Sequence, residues 1–170
     1  EMALREDLPP AARDYITQIK ASGKTLLTII NDILDFSKIE SGKMNIIPVE
    51  YEPMSTIHDV ANIITTRIGS KNVELILDIA PDIPYKLFGD SIRFKQILLN
   101  LANNAVKFTK HGRVLLKIYA DPVENGETVL HASIEDTGIG IKKEHIGRLF
   151  RSFEQLDSKR NRNIEGTGLG

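Results

Sequence analysis

Apolar and polar positions divide the chain into a long helical segment and a following region of mixed helices and strands. Over residues 11–41 the apolar side chains recur at helical spacing, and Ile19, Leu26 and Ile33 lie seven residues apart. Pro9-Pro10 favours the start of this helix, because proline presets φ and lacks the amide that a first turn leaves unpaired. The apolar stripe predicts either packing on the helix's own domain or, as we favour, a helical hairpin or dimeric bundle.

A second region begins where residues 41–43, Ser-Gly-Lys, interrupt the helical pattern. Residues 44–49 are predicted to form a short strand. A helix is predicted to begin at Pro53, to carry apolar side chains on one face and to end at Gly69. The next strand is predicted over residues 73–79. We therefore place a domain boundary near Lys43.

A third helix and a hairpin complete the predicted core. Residues 89–91, Gly-Asp-Ser, supply a helix cap, and residues 92–109 are predicted to form the helix. Strands are predicted over residues 112–120 and 128–135, with a turn over residues 121–126. Helices combined with an antiparallel hairpin predict an α+β fold in the form of a two-layer α/β sandwich.

The third predicted helix has a polar face rich in amides. Its apolar positions, at spacings of four, three and four, are Phe94, Leu98, Leu101 and Ala105. The polar positions lie roughly opposite and are Gln96, Asn100, Asn103, Asn104 and Lys107. Asparagine is a poor helix former, so three asparagines on one face need an explanation.

Two explanations of this polar face remain open. It is a locally tolerated polar surface, or the amide oxygen of Asn104 completes the oxygen shell of a Mg²⁺ ion that grips phosphates. Lys107 follows about one turn later and can reach a phosphate oxygen as a point charge.

Two glycine-rich segments follow this helix. Residues 136–141, Asp-Thr-Gly-Ile-Gly-Ile, come directly after a predicted strand, where the acid can accept a hydrogen bond from an exocyclic amine. The alternative there is an Asx turn. Residues 166–170, Gly-Thr-Gly-Leu-Gly, follow a basic run and can expose amides to phosphate oxygens, or they form a linker.

The order and spacing of these segments resemble the catalytic domain of two-component sensor histidine kinases, in the ATPase superfamily of DNA gyrase and the Hsp90 chaperones. Residues 100–109 resemble the family's N box, residues 136–140 its G1 box, residues 150–153 its F box and residues 166–170 its G2 box. Residues 31–42 resemble the end of the second helix of the family's dimerisation and phosphotransfer hairpin, in the style of hybrid kinases.

This resemblance implies a fold and two domains. Residues 43–170 are expected to form a Bergerat-type ATP-binding fold, with a mobile lid over residues 150–167. Residues 1–42 are expected to contribute the second helix of the hairpin. The domain is expected to continue past Gly170, because the family's last helix and strands follow the G2 box.

The resemblance also implies a role for each site residue. Asn104 is expected to bind Mg²⁺, while Asn100 and Lys107 face the phosphates of ATP, and these three form the catalytic set. Asp136 is expected to hold the adenine amine. The other residues implied to line the nucleotide are Phe108, Gly138, Gly140, Ile141, Gly166, Thr167, Gly168, Leu169 and Gly170.

The phosphoacceptor of the family is a histidine on the first helix of the hairpin, and residues 11–41 contain none. His58, His111, His131 and His145 all belong to the second region, where we expect surface or packing roles. We therefore expect the missing helix upstream of this sequence. The implied reaction transfers the ATP γ-phosphate to that histidine. The implied partners are a second copy of the chain and a response-regulator receiver domain, whose aspartate takes the phosphate.

Two other functions stay open, a hydrolysing ATPase of the gyrase or Hsp90 type and a nucleotide-binding but catalytically silent scaffold. Gyrase-like members carry a glutamate one helical turn before the metal-binding asparagine, and this chain has Asn100 there. An amide cannot take a proton at neutral pH, so we expect slow ATP hydrolysis.

Composition narrows the partners further. The 22 Lys and Arg residues nearly balance the 23 Asp and Glu residues, which gives no reason to expect nucleic acid or an anionic membrane. The absence of cysteine excludes a disulfide framework and a thiolate metal site. No apolar run reaches the roughly 18 residues of a membrane span. We expect a cytoplasmic location without direct membrane contact, whether or not the full protein is membrane-anchored.

Overall fold

The structure is a computed structural model that describes residues 2–6 and 8–147. The chain forms two compact units, the first ending at Asn45 and the second beginning at Ile46. The first unit consists of a short 3₁₀ helix, Met2–Arg5, and the long helix α1, Pro10–Glu40. Proline stands in the first turn of α1, and the predicted helix is confirmed.

The apolar stripe of α1 is exposed. No residue of this helix is buried, and Ile19, Leu26 and Leu34 are 70%, 58% and 52% exposed. Most helices in proteins are stabilised by tertiary packing of their apolar face rather than by propensity alone. The stripe is therefore available to a partner helix.

The second unit contains five strands and three helices in the described residues. In chain order they are β1 (Val49–Tyr51), α2 (Pro53–Ile68), β2 (Asn72–Ile79), β3 (Leu87–Gly89), α3 (Ser91–Phe108), β4 (His111–Ala120), β5 (Leu130–Asp136) and the short α4 (Lys143–Ile146). The second and third predicted helices and the predicted hairpin are confirmed.

The strands form two sheets. β4 lies in the centre of a three-stranded sheet, parallel to β2 and antiparallel to β5, with Leu116 opposite Leu77 on one side and Ile134 on the other. β1 pairs with β3 in a separate antiparallel ribbon. Parallel strands need a crossover, and the connection from β2 to β4 contains β3 and α3.

The core lies between the helices and the three-stranded sheet. α2 and α3 pack against each other, and both contact strands of the sheet. Their buried faces meet the inward face of β4, which is hydrophobic at every second residue. The most deeply buried apolar side chains are Ile57, Val60, Ile64, Leu98, Val114, Leu116 and Ile118. The predicted two-layer α/β sandwich is confirmed.

The strand predicted over residues 44–49 is wrong. The strand lies at Val49–Tyr51, because its hydrogen-bonding partner is β3, which the sequence pattern did not predict. The apolar residues before it have no strand partner. The amide of Ile47 donates to Asp90 Oδ2 at 3.0 Å, and the Ile47 side chain is 67% exposed.

The apolar face predicted for α3 is partly wrong, because Leu101 is 48% exposed. Helical geometry places Leu101 about 60° away from Leu98 around the axis, at the edge of the buried face. The buried residues are Leu98, Ala102, Ala105 and Val106.

Candidate functional site

The amide-rich helix α3 is fixed at its start by Asp90. Asp90 Oδ1 accepts a hydrogen bond from the backbone amide of Arg93 at 3.0 Å, which caps the helix. Its Oδ2 accepts from the amide of Ile47. These two hydrogen bonds hold the pKa of this carboxyl below its usual value, and the bond from Ile47 has the larger effect. One carboxylate therefore joins α3 to the chain before β1.

The polar face of α3 presents amides to solvent. Asn100 and Asn104, one turn apart, are both exposed. Asn103 is half-buried, and its Oδ1 is buried without a hydrogen-bond partner in the described part of the chain. A buried acceptor of this kind is unusual in a folded protein. The oxygen atoms on this face that a ligand can reach are therefore those of the exposed Asn100 and Asn104.

Lys107 lies on the same face, in the last turn of α3. It is half-buried, and this burial lowers the pKa of its ammonium group. Its Nζ stands 5.1 Å from the ring centroid of Phe108, a distance at which an ammonium is attracted to an aromatic ring. A partly desolvated cation interacts more strongly with an anion than a fully hydrated one.

Asp136 ends β5 and contacts the end of α3. Its Oδ1 accepts a hydrogen bond from the amide of Gly138 at 2.8 Å and one from the hydroxyl of Thr109 at 3.4 Å. Thr109, the first residue after α3, is fully buried. Oδ2 of Asp136 has no hydrogen bond among residues 2–6 and 8–147, and the residue is exposed. Oδ2 is therefore free to accept a hydrogen bond from a ligand.

Gly138 lies in close contact with the end of α3. A Cβ at this position would lie 2.6 Å from the Phe108 carbonyl oxygen and 2.7 Å from Asp136 Oδ1. Neither distance is tolerated without a shift of the backbone or the carboxylate. Only glycine fits this turn as it stands.

Thr137 ties the same turn to the start of β4. Its backbone amide donates to the Arg113 carbonyl at 3.1 Å, and its Oγ1 accepts from the Arg113 amide at 2.9 Å. Gly112, at φ 113°, leaves room for the threonine hydroxyl, which a Cβ there would displace. The start of the segment after β5 is thus held against both α3 and β4.

The structure brings together some of the predicted site residues. Phe108, Asp136 and Gly138 meet at one point, while Asn100, Asn104 and Lys107 share one face of α3. Gly140, with φ 64°, and Ile141 are exposed in the loop after β5. The remaining predicted residues lie outside the described residues: the F box and lid over residues 150–167, and Gly166, Thr167, Gly168, Leu169 and Gly170.

Thr109, Thr137 and Gly112 hold Asp136 and its turn in place, and the sequence pattern predicted no role for them. Thr109 lies within the N box, directly after the last helical residue. A threonine directly after a helix can donate a hydrogen bond to a carboxylate or to the end of the helix. The acceptor for Thr109 is Asp136, which lies 27 residues further along the chain at the end of a strand. Only the fold makes that pairing visible.

The oxygen donors on α3 are compatible with a cation that keeps most of its water ligands. Across the described ranges, no group of three or more His, Cys, Asp or Glu side chains is placed to hold a metal ion. The amide oxygen of Asn104 alone is a weak site. Mg²⁺ keeps most of its waters and is bound through few protein ligands plus substrate phosphates, which matches such a face.

The histidines of the second unit occupy ordinary positions where their contacts are described. His131 stacks on Tyr119 at 4.5 Å between centroids, and its Nε2 lies 3.0 Å from Asp121 Oδ1. His58 contacts the side chain of Asn62 at 3.2 Å. These contacts show packing and surface pairing. Among the described helices, none is long and apolar enough to cross a membrane.

Two family models match the chain. Residues 1–42 match the His Kinase A (phospho-acceptor) domain. Residues 89–170 match the histidine kinase-, DNA gyrase B- and HSP90-like ATPase family. Together the two matches cover most of the sequence.

Two similar proteins are named histidine kinases. Hybrid signal transduction histidine kinase B of Dictyostelium discoideum is 40% identical over 166 residues, which is 98% of this chain and 8% of that protein. The signal transduction histidine-protein kinase BarA of Escherichia coli K12 is 38% identical over 169 residues, 99% of this chain and 18% of that protein. The chain thus spans a small part of these relatives.

A solved structure shares the fold. Full-length ShkA in complex with AMPPNP superposes with a TM-score of 0.76 at 31% sequence identity, over 98% of this chain and 33% of that one. The chain belongs to the histidine kinase family, whose phospho-acceptor domain model matches residues 1–42 and whose ATPase model matches residues 89–170.

Proposed function

We propose that this chain binds Mg·ATP on the polar face of α3 and the turn after β5, and presents the γ-phosphate to a histidine of a second helix. The single observation that carries the proposal is the joining of the two motifs. Asp136, from the turn, is hydrogen-bonded to Thr109 at the end of the amide-bearing helix. The bound AMPPNP of the ShkA structure supports an ATP site in this fold.

Asp136 recognises the base in this proposal. Its Oδ1 is held by protein donors, and its Oδ2 accepts a hydrogen bond from the exocyclic amine of adenine. Gly138 and Gly140 let the backbone approach the ring. Phe108, half-buried beside this point, supplies apolar contact to the base or ribose.

Asn100, Asn104 and Lys107 bind the phosphate end. The amide oxygen of Asn104 would be the protein ligand for Mg²⁺. When bound there, the ion would neutralise negative charge on the phosphates. Asn100 hydrogen-bonds the phosphates, and the partly buried ammonium of Lys107 pairs with a phosphate oxygen. These residues position the nucleotide, and positioning with charge neutralisation supplies most of the catalysis in phosphoryl transfer.

The phosphoryl group goes to a histidine outside α1. A ring nitrogen of that histidine forms the bond to the γ-phosphorus while the bond to the bridging oxygen breaks, and ADP leaves. A receiver-domain aspartate then takes the phosphoryl group from the histidine. The hybrid kinase among the relatives favours this relay. The exposed stripe of α1 supports a homodimer built through the hairpin. We place the reaction in the cytoplasm.

Hydrolysis of ATP by water is disfavoured at this site. Attack by water on the γ-phosphate needs a general base, and the position one turn before Asn104 is held by Asn100. Among residues 2–6 and 8–147, α3 carries no carboxylate on this face. This argues against a hydrolysing ATPase.

Calorimetry with Mg²⁺ and a non-hydrolysable ATP analogue tests the metal assignment on the 170-residue chain. Asn104→Ala is expected to weaken binding in the presence of Mg²⁺ by about tenfold or more, as expected when a ligand to a bound ion is lost. Asn62→Ala, an exposed asparagine on α2, serves as the matched control. Normal binding by Asn104→Ala would remove Asn104 from the metal site.

A second experiment separates kinase, hydrolase and scaffold. The chain is incubated with ATP labelled at the γ-phosphate and a separate His Kinase A hairpin that carries the histidine. Label on the hairpin supports the kinase, whereas fast release of free phosphate supports a hydrolase. Binding of ATP without either product would leave a silent scaffold and contradict the proposal.

A further inference from the structure

We infer that Thr109 is a positioning residue, whose hydroxyl fixes the carboxylate of Asp136 so that Oδ2 is the oxygen offered to the exocyclic amine of the purine. The inference rests on the proposed ATP site, and it assigns part of the base selectivity to a residue that does not touch the nucleotide. Thr109 Oγ1 stands 3.4 Å from Asp136 Oδ1.

Because Thr109 is buried, its hydroxyl can form a hydrogen bond only with another group of the protein. The side chain is 0% exposed, so water does not reach it. Within the described ranges, Asp136 is the only hydrogen-bond partner of this hydroxyl. A buried hydroxyl without a partner costs about 1–3 kcal/mol. The residue is therefore best explained by its bond to the carboxylate.

The backbone around Thr109 is also fixed. Its amide donates to the Ala105 carbonyl at 3.0 Å and closes the last turn of α3. Its φ of −98° and ψ of 120° are extended, so the chain leaves the helix here. The hydroxyl thus projects from the residue directly after α3, whose backbone amide is hydrogen-bonded to the last turn of the helix.

Two donors on one oxygen restrict the rotation of the carboxylate. The terminal torsion of an aspartate has a broad energy minimum, so a single bond leaves it free to turn. The amide of Gly138, at 2.8 Å, and the hydroxyl of Thr109 both bind Oδ1. Oδ2 then keeps one orientation and its full capacity as an acceptor.

The two bonds to Oδ1 differ in length. The bond from the Gly138 amide is 2.8 Å long, whereas that from the Thr109 hydroxyl is 3.4 Å and exceeds the usual O–H···O distance. The Gly138 amide therefore makes the stronger contact, and the Thr109 hydroxyl adds the second point that restricts the rotation of the carboxylate.

The test compares two nucleotides on the 170-residue chain. One is ATP, and the other is purine riboside triphosphate, which lacks the 6-amino group. Thr109→Val removes the hydroxyl and keeps the shape. It is expected to lower the affinity for ATP about tenfold and to leave that for the analogue unchanged. Thr109→Ser keeps the hydroxyl and is expected to bind ATP like the wild type.

The outcomes separate this inference from the proposed function. Failure of the wild-type chain to bind ATP overturns both. Binding by the wild type with no change in Thr109→Val overturns the role of Thr109 alone, and so does an equal loss for both nucleotides. If circular dichroism shows Thr109→Val to be unfolded, Thr109→Ala carries the same comparison, because it removes the hydroxyl without adding bulk.

Discussion

The ammonium group of Lys71 donates a hydrogen bond of 2.8 Å to the carbonyl oxygen of Val106. Lys71 follows the turn that ends α2, and Val106 lies in the last turn of α3. The last carbonyls of a helix have no partner within the helix, and a cation there also offsets the helix dipole. This bond fixes the end of α3, from which Lys107 and Thr109 reach the candidate site.

Replacing Lys71 by methionine is expected to destabilise the second unit by about 1–2 kcal/mol, because the carbonyl loses its donor while the apolar stem is kept. Chemical denaturation followed by circular dichroism measures the change. Lys110→Met, at an exposed lysine, is the matched control and is expected to be neutral. Equal stability of the two variants would show that the Lys71 bond contributes nothing.

Substitution at Gly138 is expected to damage both the fold and the site. In Gly138→Ala the new methyl group meets the carbonyl of Phe108 and the carboxylate of Asp136. Relieving these contacts is expected to cost about 1–3 kcal/mol and to turn Asp136 away from the base. Thermal unfolding and calorimetry with an ATP analogue measure the two effects.

The control for this change is Gly147→Ala. Gly147 has open space where a Cβ would lie and an ordinary helical φ of −67°, so alanine fits there. The control is expected to leave stability and binding unchanged. If Gly138→Ala behaves like Gly147→Ala, the contact with Phe108 is softer than the distances indicate.

Asp90 is expected to make the stability of the second unit depend on pH near and below 3.8, the unfolded pKa of its carboxyl. Its pKa is lowered in the folded state, chiefly by the hydrogen bond from the Ile47 amide and next by that from the Arg93 amide. A depressed carboxyl pKa stabilises the fold above the unfolded value of 3.8, and this stabilisation is lost as pH falls through the folded pKa.

The measurement compares unfolding of the wild type and Asp90→Asn from pH 6 down to about pH 3. Asparagine still caps a helix but carries no charge. The wild type is expected to be the more stable at pH 6, and the difference is expected to shrink as pH falls. Parallel curves for the two proteins would assign the acid dependence to other carboxylates.

The hydrophobic pattern was sufficient to predict α1, α2, α3 and the hairpin, because each of these elements carries its apolar side chains in a regular repeat. The four-residue α4 was not predicted. The pattern was also insufficient for β3, a strand of three residues that exists through its pairing with β1. The exposure of Leu101 was missed because an offset of about 60° around the helix axis separates it from Leu98 at the centre of the buried face.

The candidate site likewise contains residues that the sequence predicted and residues that it did not. Asn100, Asn104 and Asp136 were predicted because amides on a helix and an acid before glycines are unusual in sequence. Thr109 was not, because a threonine at a helix end is common and its partner is distant along the chain. Residues that hold a site residue in place without touching the ligand are difficult to predict from a single sequence.

Asn100→Glu is expected to raise ATP hydrolysis by the chain. It places a carboxylate on the exposed face of α3 one turn before Asn104, where a proton acceptor for the attacking water is otherwise missing. A well-placed general base contributes about 10²–10⁴-fold, and an unoptimised one is expected to give about tenfold. Release of free phosphate from ATP is the measurement.

Asn103→Glu is the control, since it adds the same charge at a neighbouring but half-buried position. Equal rates in the two variants would mean that charge alone, rather than the place of the base, governs hydrolysis. A rate in Asn100→Glu no higher than in the wild type would show that the missing carboxylate is not what keeps water from attacking.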